Sequence, residues 1–329
     1  MKKITAMILL LAMVLALAAC SGGTNADDRN TDSSEDTYTI GVLYLDQEVL
    51  LSEATAGCQA YAAEHSNVKL IEYNANKDVS TQLKQCENLI SQNVDAIALT
   101  PVDGAGCDQI INACKDAGIP LICFHAKVNG APITNILFDN VGFGKMQVDY
   151  AMEIFEKNGG DMNGTINVGI VTGKLDNQNA VERCQGYEEQ LKNYANATIV
   201  DEQVGSWNRD DAMAIAENWI TSGRDIDIIL SNNDAMAIGI SLAYANANVE
   251  RPIIIGVGGT EEGLTAILNG DFDGTVFQPA YQNGYDAIDF TVKYLNGETL
   301  EDSYVTEGVL VTPETAQATL DDLKAMLNS

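Results

Sequence analysis

The sequence predicts an α/β protein of two doubly wound parallel-sheet lobes, and three observations carry that prediction. From Tyr38 onward, short β-branched runs alternate with amphipathic stretches of helical length, and the alternation occurs in two successive series. About 290 residues follow Tyr38, more than one hydrophobic core usually covers. Strands separated by helical stretches demand parallel pairing, right-handed crossovers and helices on both sheet faces.

Ahead of the folded part, Lys2 and Lys3 precede the apolar run Ile4 to Leu15, and Leu17-Ala18-Ala19-Cys20 closes it. Small residues ending in cysteine resemble a bacterial lipoprotein signal: residues 1–19 are expected to be removed and the Cys20 thiol to be acylated as the new N-terminus. The alternative is an uncleaved signal or ordinary membrane anchor, for which the run is short. Ser21 to Thr37 contains no apolar residue larger than alanine, so residues 20–37 read as a lipidated cysteine and flexible tether. The resulting location is extracytoplasmic, lipid-anchored to the cell membrane.

The first series places strands at Thr39–Leu45, Lys69–Tyr73, Ala96–Thr100 and Ile119–Phe124, with helices near 50–65, 79–92 and 104–117. Val79, Leu83, Cys86 and Ile90 fall at helical spacing, as do Cys107, Ile110, Ile111, Cys114 and Ala117. The second series places strands near 165–172, 197–204, 226–231, 252–257 and 274–278, with helices near 141–157, 179–194, 209–222, 233–247 and 261–269.

With 47 acidic and 18 basic residues the formal charge is −29, a surface that repels nucleic acid and anionic lipid and suits an exported, soluble body. Six cysteines lie beyond Cys20, at 58, 86, 107, 114, 123 and 184, with no C-x-x-C pair and only two histidines, so no zinc spacing is present. Two readings stay open: reduced core thiols, or one disulfide such as Cys58 with Cys86. Asp161 to Asn167 starts with the ligand spacing of a calcium loop but lacks the glycine at loop position six, and no metal or cofactor is expected. Neither G-x-S-x-G, G-x-x-x-x-G-K-[ST] nor H-E-x-x-H occurs, so the chain does not read as an enzyme and no catalytic residue is assigned.

In open α/β sheets ligands bind beyond the carboxyl ends of the strands. The polar and aromatic residues there are Asp46, Gln47, Glu48, Asp103 and His125 in the first series, and Asn177, Asn179, Trp207, Asn232, Asn233 and Gln278 in the second. Amides with paired donor and acceptor, together with one large ring, suit hydroxyl bonding and face stacking on a neutral polyhydroxylated ligand. Trp207 could equally cap the second core, Arg183 pair on the surface with Glu182 or Glu188, and His125 sit satisfied at the lobe surface. Asn232 and Asn233 also suit a turn and a helix cap, and one of them is expected to serve as that.

Over roughly 38–325 the chain resembles the type I periplasmic binding proteins of sugar transporters, the group with the ribose and galactose binders. The resemblance rests on Ile229-Leu230-Ser231-Asn232-Asn233-Asp234-Ala235-Met236-Ala237-Ile238-Gly239, on Phe138-Asp139-Asn140, on Arg183 with Gly186-Tyr187, on Gly256-Val257-Gly258-Gly259-Thr260 and on Phe277-Gln278-Pro279. It implies ligand contacts from Arg183, Trp207, Asn233 and Gln278, and a hinge of three crossings near Phe138–Asn140, Gln278–Ala280 and Val311–Pro313. Lobe 1 would then comprise 38–138 plus 280–311, and lobe 2 139–279 plus 312–329. Departures are Gly258 where sugar binders carry aspartate, His125-Ala126 in place of a polar and basic pair, and no stacking aromatic among Gln47 to Leu51. Each charged hydrogen bond so forgone costs roughly 1.5–3 kcal/mol.

The implied function is a monomeric solute-binding lipoprotein of an ABC importer, closing two lobes on a small molecule and presenting it to a membrane permease. Ligand candidates are a pentose or hexose in an altered pose, a furanose-like signal or nucleoside, and a sugar acid paired with Arg183. The alternative is a receptor of the same fold that presents its ligand to a membrane sensor kinase or chemoreceptor. A sugar-responsive repressor would need a basic N-terminal DNA-binding helix pair, where this chain has signal and tether.

Overall fold

The computed structural model describes residues 36–328 apart from 105, 129 and 131. The signal, Cys20 and most of the tether lie outside the described residues. Among those described, no helix is long and apolar enough to cross a membrane.

Residues 37–329 form one compact unit built on two six-stranded sheets. The first comprises β1 (Tyr38–Tyr44), β2 (Val68–Asn74), β3 (Ala96–Leu99), β4 (Leu121–Phe124), β5 (Thr134–Phe138) and β11 (Ser303–Thr306), in the order β11-β5-β4-β3-β1-β2. The second comprises β6 (Ile166–Thr172), β7 (Ala197–Val204), β8 (Ile228–Ser231), β9 (Ile253–Gly258), β10 (Gly274–Phe277) and β12 (Val309–Val311), in the order β12-β10-β9-β8-β6-β7. All pairings are parallel except β10 with β12. Central strands β3, β4, β8 and β9 are buried at every position, because helices cover both faces, whereas edge strand β7 carries exposed Glu202 and Gln203.

The chain reverses its direction of winding at β1 in the first sheet and at β6 in the second, so each lobe has its crevice there. Helices α1 (Val49–Glu64), α2 (Val79–Ser91), α3 (Asp108–Ala117) and α9 (Ala280–Leu295) flank the first sheet. Helices α4 (Asn140–Lys157), α5 (Gln178–Leu191), α6 (Arg209–Thr221), α7 (Asp234–Ala247), α8 (Glu261–Asn269) and α10 (Ala316–Leu327) belong to the second. One helix pair in each lobe meets backbone to backbone through glycine. A Cβ at Gly57 of α1 would lie 1.9 Å from the Tyr281 carbonyl of α9, and one at Gly186 of α5 would lie 2.2 Å from the Val141 carbonyl of α4. Those contacts fix α1 and α5, whose first turns point at the crevices.

Five elements lie outside the two predicted series: helices α9 and α10, and the strands β5, β11 and β12, of three to five residues each, which carry no pattern of their own. The short strands decide where the chain last changes lobes. Val309–Val311 pairs antiparallel with Thr275–Phe277 in the second sheet, so the chain changes lobes at 307–308 and not at Val311–Pro313. The first-lobe return segment accordingly ends at Thr306. The step passes under Phe143, whose Cε1 would lie 2.5 Å from a Cβ on Gly308. Phe138, Phe143, Val257 and Val276 form a small apolar cluster beside the crossings.

All six described cysteines are free. Cys86, Cys107, Cys114 and Cys123 share one core cluster, with Cys86 and Cys114 Sγ 3.6 Å apart, while Cys58 packs on the other face of the same sheet. The sheet between them rules out a Cys58–Cys86 bridge. Among the described residues no group of three or more His, Cys, Asp or Glu could hold a metal, and Asp161 accepts from the Asn163 amide at 2.9 Å within its own turn.

Candidate ligand-binding cleft

Arg183 is the hub of the polar groups between the lobes. It is 3% exposed, and its planar fork donates from Nε to Asn140 Oδ1 at 3.0 Å, from Nη1 to the Asn232 carbonyl, and from Nη2 to Gln278 Oε1 at 2.7 Å. Asn140 follows the first crossing, Asn232 ends β8 and Gln278 precedes the second crossing. Three of five guanidinium donors are thus used on the hinge and a strand end, and two N–H groups remain for a ligand. Its carbon centre lies 5.6 Å from the Trp207 ring centre and 5.8 Å from that of Phe143. Burial lowers its pKa to about 10, which still leaves it charged at neutral pH.

Asn179 links this hub to the first lobe. Its Oδ1 accepts from Asn140 Nδ2 at 3.1 Å, and its Nδ2 donates to the His125 carbonyl at 3.3 Å. His125 follows β4 with φ of +69°, a left-handed conformation that costs a side-chain-bearing residue energy. Its ring stands edge-on to Phe138 with centroids 5.5 Å apart, and its buried Nδ1 makes no hydrogen bond. Burial, reinforced by the Arg183 charge, pushes the imidazole down to about 4, so the ring is neutral at pH 7.

Trp207 lies in the loop after β7, with φ of +65°. Its half-buried indole lies flat over Gly173, where a Cβ would come within 2.1 Å of the ring. It packs on the second-lobe core, as a capping residue would, and its ring also faces Arg183. Asn233 caps α7, its Oδ1 accepting from the Met236 amide at 2.9 Å while its Nδ2 donates to the Trp207 carbonyl at 3.4 Å. One lone pair and one N–H of this carboxamide remain. Asn232 is spent internally, accepting from the Gly173 amide at 2.9 Å and donating to Tyr187 Oη at 3.0 Å.

The structure therefore brings together His125, Asn179, Arg183, Trp207, Asn233 and Gln278. It does not bring Gln47 and Glu48 to them. Both are exposed, and the Glu48 carboxylate pairs with Lys77, whose Nζ is also 3.3 Å from Asp46 Oδ2. The sequence reading missed three members of the neighbourhood. Asn140 bridges Arg183 and Asn179. Asp234 is buried and accepts from Thr275 Oγ1 at 2.6 Å and the Gly259 amide at 2.7 Å. Glu53 of α1 is 3% exposed, with an Oε2 that makes no hydrogen bond. A surface depression of about 490 Å³, lined by Asp201, Trp219 and Arg224 among others, contains none of these groups.

A family model for the periplasmic binding protein domain matches residues 42–299. The chain belongs to the periplasmic binding protein family. Among its relatives, a xylitol-binding protein of Mycolicibacterium smegmatis is 31% identical over 318 residues, covering 94% of this chain and 84% of that one. A putative rhizopine-binding protein of Rhizobium meliloti is 29% identical over 269 residues, covering 78% and 84%. Among solved structures, an ABC transporter solute-binding protein of Bacillus halodurans with bound myo-inositol superposes with a TM-score of 0.79 at 29% identity, covering 88% of this chain and 99% of that one. The chain is thus a type I binding protein of the sugar-binding group, and not an enzyme. His125 of the first lobe and Asn179 of the second meet directly, the Asn179 Nδ2 donating to the His125 carbonyl, with Arg183 and Gln278 beside them.

Proposed function

We propose that this binding protein captures a neutral polyhydroxylated molecule, a polyol or a sugar, between its lobes, and that closure presents the loaded form to an ABC permease. Acylation of Cys20 holds it at the outer face of the cell membrane, and residues 20–37 give it reach. The binding positions are His125, Asn179, Arg183, Trp207, Asn233 and Gln278.

The observation that carries the reading is the Arg183 guanidinium, bonded to Asn140 and Gln278 at two crossings while its remaining donors and the Trp207 ring stay available to a ligand. A ligand favours the closed form only by its differential affinity for that form, and contacts from both lobes supply the difference. The xylitol and myo-inositol named with two of the relatives support polyols as ligand candidates beside sugars.

The test is a thermal-shift screen of the purified protein over polyols, cyclitols, pentoses, hexoses, nucleosides and sugar acids. A ligand at one hundred times its dissociation constant adds about 2.7 kcal/mol of stability. Solution scattering of the responding pair should show compaction. A screen in which only sugar acids or nucleosides respond would overturn the ligand class.

A further inference from the structure

We propose that Glu53 is a ligand-contacting residue of the first lobe, its carboxyl group hydrogen-bonding a hydroxyl of the bound polyol across the cleft from Arg183 and Gln278. The assignment rests on the polyol or sugar reading of the cleft.

Glu53 stands near the start of α1, the helix that leaves the carboxyl end of β1 at the crevice of the first sheet. It is an acid at 3% exposure whose Oε2 is buried and makes no hydrogen bond. A buried polar group without a partner is costly, and evolution rarely leaves one in a binding cleft without use. Asp234, at the start of α7 in the other lobe, adds to the effect of burial on this carboxyl. The helix carrying it is held in place, since Ala54 and Gly57 press directly on the α9 backbone at Gly284 and Tyr281.

On the second lobe Asp234 turns inward to Thr275, Gly259 and Thr260, and its carboxylate fills the place beside Gly258, where a Cβ would come within 3.0 Å of Oδ2. Other titratable groups around the cleft are committed elsewhere: Arg183 to Asn140, Asn232 and Gln278, and Asp46 and Glu48 to Lys77. His125 is neutral. Burial, with the Asp234 charge added, pushes the Glu53 carboxyl up to about 8, so at neutral pH it is an uncharged acid with one donor and one acceptor, the complement of a hydroxyl.

The experiment is a calorimetric titration of xylitol, myo-inositol and a pentose panel into wild type, Glu53→Gln and Glu53→Leu between pH 6 and 9.5. The carboxamide keeps a donor and an acceptor, so Glu53→Gln binds the responding probe within about threefold of wild type at pH 6.5. Glu53→Leu binds at least about thirtyfold more weakly. Wild-type affinity falls about tenfold per pH unit above pH 8, while that of Glu53→Gln stays flat. Binding by Glu53→Leu at wild-type strength, or identical pH profiles for wild type and Glu53→Gln, overturns the role of Glu53 and leaves the function standing. Silence of wild type toward every probe overturns both. If Glu53→Leu does not fold, the contrast between wild type and Glu53→Gln decides alone.

Discussion

Arg183 donates to Gln278 Oε1 at 2.7 Å, and Gln278 is the last residue but one before the chain re-enters the first lobe as α9. The same guanidinium holds Asn140, which opens α4 just after the first crossing. Two of the crossings between the sheets therefore meet in one side chain.

Replacing Arg183 by methionine should remove both at once. The Asn140, Asn232 and Gln278 acceptors would each be left buried without a donor, at about 1–3 kcal/mol apiece. Lysine should rescue little, because a point charge cannot serve three acceptors fixed in a fork. Chemical denaturation measures the first effect, and solution scattering with ligand measures the loss of closure.

The Trp207 ring and Gly173 form a second testable pair. Trp207→Ala should abolish the ligand-induced thermal shift at a stability cost below about 3 kcal/mol, since the ring is only partly buried. Gly173→Ala inserts a carbon 2.1 Å from the same ring and should weaken binding at least tenfold by tilting it. A Gly173→Ala variant that binds as wild type would show that the indole does not touch the ligand.

Acid should loosen the fold through His125. Its folded pKa of about 4 lies below the ordinary value of 6.5, so between those values the unfolded chain binds the proton more readily. Stability should fall as pH drops from 6.5 toward 4. His125→Asn should flatten that part of the melting-temperature profile.

Base should act through Glu53 with the opposite sign. Its folded pKa of about 8 lies above the ordinary 4.5, so the folded state holds the proton longer and stability falls as pH rises from 4.5 through 8. Glu53→Gln without ligand should melt higher than wild type at pH 9, with the gap closing by pH 5.

Two sheets and their order along the chain were legible because parallel strands buried on both faces leave continuous apolar runs, such as Ile228 to Leu230 and Ile253 to Ile255. The second-lobe cluster of Asn179, Arg183, Trp207, Asn233 and Gln278 was legible because strand ends announce themselves by amides and a tryptophan. Gln47 and Glu48 also follow a strand, yet Lys77 draws Glu48 outward, a pairing across 29 residues that position alone does not encode. Glu53 was missed for a related reason. An acid in the first turns of a helix ordinarily reads as a solvated residue, and only the folded structure shows this one to be buried. The third crossing was misplaced because Val309-Leu310-Val311 is too short to declare which sheet it joins.

Because Arg183 binds the protein at both neighbouring crossings, any attempt to retarget this receptor by rebuilding the second lobe would disturb its moving joint. Under the proposed function, the facing wall, where Glu53 and His125 stand on elements that carry no crossing, is the part to rewrite for a new cargo while the crossings are left alone.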